Sequence, residues 1–128
     1  GLGIAPTPLS SIFVALMQMI IAYFRPRMRD AVVDRLRRLK VPGASLSTVE
    51  GFGHEAGPGG TRTYDEAVSP YVKKVKLEIV CEDDRTDEIT EAIAEYAQTG
   101  RRGDGKIFVL PVHHALDIRT RRPGEAAL

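Results

Sequence analysis

The sequence predicts an α+β domain in which four strands form one sheet and both helices pack on one of its faces. Three observations carry that expectation. Lys74 to Cys81 alternates strictly, with Val75, Leu77 and Ile79 on one side and Lys74, Lys76 and Glu78 on the other, the period of a half-buried strand. Two other segments, Arg27–Lys40 and Asp83–Gln98, repeat their apolar residues at helical spacing instead. Between them, Gly51 to Pro70 shows no hydrophobic period at all.

Taken in order, Met19 to Arg25 reads as a buried strand stopped by Arg25-Pro26, because the residue before a proline is driven away from helix. Arg27 to Lys40 places Ala31, Val32, Leu36 and Leu39 on its apolar side and Arg29, Asp30, Asp34, Arg37 and Arg38 outside; those basic residues read as a solvated face. Val41-Pro42-Gly43 is the expected stop. Ser45 to Glu50 alternates as a half-buried strand does. The following loop of about twenty residues is longer than compact domains normally carry, and such loops are usually functional or disordered; Gly51, Gly53, Gly57, Pro58, Gly59 and Gly60 crowd its first half. In the second helix, acidic residues fill the first turns, where the helix dipole favours them, and Ile89, Ala92, Ile93, Tyr96 and Ala97 form the stripe. Lys106 to Val112 is a short strand, and Ala115 to Arg119 is a candidate for another. Strand–helix–strand, loop, strand–helix–strand is a ferredoxin-like double βαβ pattern. Such a sheet leaves one face bare, most simply covered by further copies of the chain.

Bulk properties exclude several classes. A chain of 128 residues is one domain, and 43% hydrophobic with 27% charged residues is ordinary for a globular protein. The net charge of +1 gives no general attraction to nucleic acid or anionic lipid. The single cysteine, Cys81, sits in a strand-like run and reads as a small core hydrophobe in a cytoplasmic protein. The first 24 residues carry no charge, which raises a membrane span or secretory signal. No basic segment precedes the apolar stretch, Pro6 and Pro8 interrupt its start, and Met19–Phe24 is accounted for as a strand. Residues 1–16 are therefore set apart as an N-terminal extension, all the more because Gly1 rather than Met opens the chain. His54, His113 and His114 are read as surface or interface residues, since adjacent histidines on a strand face opposite ways.

Thr99-Gly100-Arg101-Arg102-Gly103-Asp104-Gly105-Lys106 is the most informative stretch. Its glycines allow close backbone approach, and a lysine supplies a compact positive charge, which suits a phosphate. The spacing is not that of a P-loop, and Gly-Asp-Gly is also ordinary turn chemistry, so a turn and a phosphate cradle both stand.

Thr99 to Val109, TGRRGDGKIFV, resembles the C-terminal signature of the PII nitrogen-regulatory signal-transduction proteins without a mismatch. Met19–Ala22 with Arg25-Pro26, Val49–Gly53, Lys74–Val80, Ile118-Arg119-Thr120 and Gly124–Leu128 match in register. The resemblance runs from Met17 to Leu128, and Met17 falls where members of the family start, so 17–128 is the expected domain. It implies a homotrimer with ATP or ADP in clefts between subunits. Tyr23, Ser45, Gly51, Gly53 and Val80 would meet the base side. Gly103, Asp104, Gly105 and Lys106 would form the phosphate loop, with Arg119 reaching in from the adjacent subunit. The long segment, about 52–73, corresponds to the T-loop through which the family acts on enzymes and transporters. Glu55 and Lys74 fall at the positions that serve Mg2+ and 2-oxoglutarate.

The chain also departs from the family. The tyrosine that is uridylylated is replaced by Ala67, which has no hydroxyl, and the serine phosphorylated in some relatives aligns with Asp65. Glu55 stands for a glutamine; it retains metal-binding chemistry, but its charge repels a dicarboxylate. Asp117 replaces a second phosphate-binding arginine. A divergent, PII-like regulator follows, with ADP or AMP as plausible an effector as ATP. The expected partner is a transporter or a nitrogen-metabolism enzyme, with no nucleic acid and no membrane contact except through a transporter. A regulator of a metal or bicarbonate transporter is the alternative. A weak ATPase is the rival class; beyond Glu55 and Asp104 nothing resembles a catalytic base.

Overall fold

Strand β1, Met17–Phe24, lies inside the sheet because both of its edges are paired. The structure is a computed structural model and describes residues 16–53 and 71–128. After β1 come α1 (Arg29–Arg38), β2 (Ser45–Gly51), β3 (Val72–Glu82), α2 (Thr86–Ala97) and β4 (Gly105–Val112). The strands stand in the order β2-β3-β1-β4 with every neighbouring pair antiparallel, the ferredoxin-like arrangement expected.

Side-chain parity builds the core. Ile20, Ala22 and Phe24 of β1 and Val75, Leu77, Ile79 and Cys81 of β3 point to one face and are buried. Val32 and Leu36 of α1 and Ile89, Ile93 and Ala97 of α2 close on them. Cys81 is part of this core, as its composition suggested; burial pushes its thiol up, partly offset by the Thr86 hydroxyl at 3.8 Å. Among the described residues the opposite face carries no helix, and β2 is exposed along most of its length.

Local chemistry sets the element ends. Pro26 opens a short 3₁₀ turn, Pro26–Met28, ahead of α1, a position where its missing N–H costs nothing. At the other end, Lys40 adopts φ +59, its amide bonds to the Arg37 carbonyl at 2.9 Å, and Val41 bonds back to Leu36 at 3.2 Å. That is a Schellman closure with Val41 packed on the core. The helix thus ends at Arg38, before the expected Pro42-Gly43 stop. Arg85 then links the halves of the fold: its guanidinium donates to the carbonyls of Leu39 at 2.7 Å and Lys40 at 3.3 Å while pairing with Glu88. It satisfies carbonyls that the end of α1 leaves without partners.

Three other expectations are corrected. Ala31 is exposed, because the buried stripe of α1 is the narrower Val32–Leu36 pair. Strand β3 begins at Val72, so Val72 and Lys73 belong to the sheet rather than to the loop. Ala115–Arg119 is not a strand: a single bridge joins Leu116 to Pro123, and the chain turns between them. The Leu16 carbonyl accepts the Asp83 amide at 2.9 Å.

Candidate functional site

The antiparallel register decides which residues can share a site. Tyr23 stands opposite both Lys76 and Lys106, Met19 opposite Val80, Ser45 opposite Glu78 and Val49 opposite Lys74. Paired residues point to the same face, and residues two apart along a strand do too. Tyr23, Ser45, Gly51, Lys74, Val80 and Lys106 therefore lie together on the face opposite the helices.

Tyr23, Gly51, Gly53, Lys74, Gly105 and Lys106 line a single cavity of about 600 Å³ on this face. Its chemistry is mixed. Lys74, Lys76 and Lys106 bring cations, and Phe108 meets the ring of Tyr23 edge-on at 6.3 Å. An anionic ligand with a planar apolar part suits such a lining. Ser45 and Val80 open instead onto a second cavity of about 350 Å³, with Met19 and Leu128. Val80 lies four residues along β3 from Lys76, about 13 Å at strand rise.

The loop before β4 has a defined shape. Gly103 and Gly105 take φ +91 and +119, which other residues rarely adopt. At Gly105 the restriction is absolute, because a Cβ would stand 1.7 Å from the carbonyl oxygen of Tyr23 across the β1–β4 ladder. Asp104 holds the turn closed. Its carboxylate accepts the Thr99 amide at 2.8 Å, the Gly100 amide at 2.8 Å, the Thr99 hydroxyl, and Arg25 Nε at 3.2 Å. Burial opposes ionisation most strongly, but these four donors together hold the carboxyl well below the usual carboxylate range. So many donors occupy Asp104 that it serves as the internal brace of the loop. Lys74, from β3, donates to the Gly103 carbonyl.

Arg119 does not line either cavity; it sits exposed on the turn after β4. Asp117 shapes that turn, accepting the Thr120 amide at 2.8 Å, while the Arg121 amide returns to the Asp117 carbonyl at 2.8 Å. The bonds from the Thr120 amide and hydroxyl lower its pKa, with the Arg119 amide adding to them. Asp117 thus has a local role: it forms a turn carrying Arg119, Arg121 and Arg122. Glu55, Asp65, Ala67 and His54 lie outside the described residues. His113 and His114 are both exposed, and among the described residues no group of three or more His, Cys, Asp or Glu side chains is placed to hold a metal. No described helix is long and apolar enough to cross a membrane. The residue that sequence reasoning passed over is Arg25; only its place before Pro26 drew notice, as a strand stop.

The described residues form a ferredoxin-like sheet whose helix-free face carries Lys74, Lys76 and Lys106 beside a cavity. The sequence profile of the family described as Nitrogen regulatory protein P-II matches residues 17–122. The Nitrogen regulatory protein P-II of Haemophilus influenzae is 39% identical over 112 residues, 88% of this chain and the whole of that protein. Nitrogen regulatory protein P-II 1 of Escherichia coli is 37% identical over the same shares. Among solved structures, Arabidopsis thaliana PII bound to citrate superposes with a TM-score of 0.73 at 34% identity, covering 89% of this chain and 94% of that one. The chain belongs to the nitrogen regulatory P-II family, and is therefore a signal-transduction regulator rather than an enzyme.

Proposed function

We propose that the chain senses adenine nucleotides, ATP or ADP and by the same chemistry AMP, in clefts between the subunits of a homotrimer, and reports their presence to a partner protein through the segment 52–71. The observation that supports this reading most is the shared face. Six residues assigned to ligand by resemblance surround one cavity of about 600 Å³, with Lys106 beside a glycine-bounded loop. The bare sheet face supports the trimer: Phe108 and Leu110 of β4 are 50% and 44% exposed there, an apolar load that a second subunit would cover. A neighbouring subunit would also bring Arg119, which the chain's own fold leaves away from its cavities. Ser45 and Val80, in the smaller cavity, would take the base end of a nucleotide whose phosphates reach Lys106.

The partner is a transporter or a nitrogen-metabolism enzyme. Glu55 keeps metal-binding chemistry for Mg2+ and Lys74 keeps a cation for a 2-oxoglutarate carboxylate, which the Glu55 charge opposes; cytoplasmic action fits both partners. Residues 17–128 form the domain, with residues 1–16 as an extension to it. Ala67 offers no acceptor for a nucleotidyl group, so signalling would rest on ligands alone. Sedimentation with and without ADP tests the assembly and the ligand together: a trimer that takes up ADP supports the reading, and a stable monomer at micromolar concentration contradicts it.

A further inference from the structure

We propose that the chain's own segment Leu9-Ser10-Ser11-Ile12-Phe13-Val14-Ala15 docks in an apolar groove between α1 and β2, on the helix side of the sheet. The groove follows from the narrow stripe of α1. Leu46 pairs with the buried Leu77, so it points to the helix side. It nevertheless stays 36% exposed, because β2 is an edge strand and α1 leans on α2 instead. Val33 and Leu36 of α1, Val41, Pro42 and Ala44 of the connection, and Leu46 thus line a cavity of about 310 Å³. Arg37 is the single charge among its lining residues.

The point where the chain enters the fold selects this occupant. Ile20 and Ala22 of β1 face the helices, and by the same two-residue period so does Leu16, whose side chain is 60% exposed. The Leu16 carbonyl accepts the Asp83 amide, Asp83–Arg85 is one 3₁₀ turn, and the Arg85 guanidinium donates to the carbonyls of Leu39 and Lys40. Val41, the next residue, is already groove wall. One turn and one arginine side chain separate Leu16 from the groove, roughly 15–20 Å, and seven extended residues span about 23 Å. The segment carries no charge, so it enters without stripping water from an ion. Leu9, Ile12, Phe13 and Val14 give it the apolar surface that the groove lacks a partner for. The family match starts at residue 17, and 112 matched residues take up the whole of the Haemophilus influenzae relative, so the segment has no counterpart there. Pro42, Gly43 and Ala44 also line the cavity of about 350 Å³ on the other face, so the docked segment backs the wall of that cavity.

The test uses the full chain. With the photoreactive p-benzoylphenylalanine at position 13, irradiation is expected to link that position to residues 33–46 of the same chain, located by mass spectrometry after proteolysis. Leu46→Asp, at a half-exposed site, should abolish the link. Ile12→Asp should speed amide exchange in residues 41–46 about threefold or more and leave α2 unchanged. Links to Met19, Phe108 or Leu110, links between chains on a denaturing gel, no link at all, or unchanged exchange overturn the proposal. So does flotation of the unaltered protein with phosphatidylcholine vesicles that Ile12→Asp abolishes, which would assign the segment to lipid. If melting shows that Leu46→Asp does not fold, the link from position 13 and the exchange in Ile12→Asp decide without it.

Discussion

Lys74 Nζ, on β3, donates a hydrogen bond to the carbonyl oxygen of Gly103, in the loop before β4. The contact joins the strand that leaves the 52–71 segment directly to the loop proposed to meet phosphate. A ligand carboxylate or phosphate that recruits Lys74 must compete with that carbonyl, so the two segments respond to one event. Replacing Lys74 with methionine keeps the stem and removes the donor. ADP affinity should fall by about three- to tenfold, since a charge-assisted bond that only orients the loop contributes about 1 kcal/mol. Calorimetry on the variant checks this.

Gly105→Ala should be among the most damaging single substitutions in the chain. Its Cβ would lie 1.7 Å from the Tyr23 carbonyl oxygen and 2.7 Å from its carbon, both backbone atoms of a paired strand. The β1–β4 ladder would have to part, at a cost of about 3 kcal/mol or more. Gly100→Ala meets nothing within 4 Å and suffers only from φ +87, so about 1–2 kcal/mol is expected there. Urea unfolding of the two variants should rank them in that order.

Lys40→Gly should stabilise the protein by about 0.5–1 kcal/mol. Lys40 holds φ +59 at the residue after the α1 C-cap, where glycine pays no steric penalty. A rise in the thermal midpoint of a few degrees is the expected readout.

These cases show what the chain's local pattern could and could not convey. The strict alternation of Lys74 to Ile79 is a two-residue period and needs no tertiary information, so β3 and its buried side were legible. The Ile89–Ile93–Ala97 stripe of α2 was legible for the same reason. The end of α1 was not, because Arg85, far along the sequence, satisfies the Leu39 and Lys40 carbonyls. The Ala115–Arg119 segment resembled a strand by its apolar residues, yet Asp117 bonding to Thr120 turns it. In the site, the turn chemistry of Gly103-Asp104-Gly105 was readable, and both glycines take positive φ. The role of Asp104 was not, since it depends on four donors, one of them Arg25 from the other half of the fold.

Asp104 also predicts a pH dependence. Its folded-state pKa is depressed, so the unfolded chain takes up the proton first on acidification. The stabilisation is fully present above the unfolded carboxyl value of about 3.9 and is lost as pH falls through and below it. Asp104→Asn should therefore melt lower than the unaltered protein at pH 7, with a stability deficit of about 2 kcal/mol. The gap should narrow steadily below about pH 4. Melting curves at pH 7 and pH 3 decide it: a gap that stays constant or widens in acid would remove Asp104 as an ionised brace.

The account rests on Lys106 as the cation that meets nucleotide phosphate. Calorimetric titration of the assembled protein with ADP and then ATP, compared with Lys106→Ala, addresses it most directly. Loss of a charge-assisted phosphate contact should cost about 1.5–3 kcal/mol, or roughly ten- to a hundredfold in affinity. With Asp117 in place of an arginine, ATP and ADP should bind the unaltered protein with similar strength. Nucleotide binding that survives unchanged in Lys106→Ala, or no binding by the unaltered protein, would contradict the account.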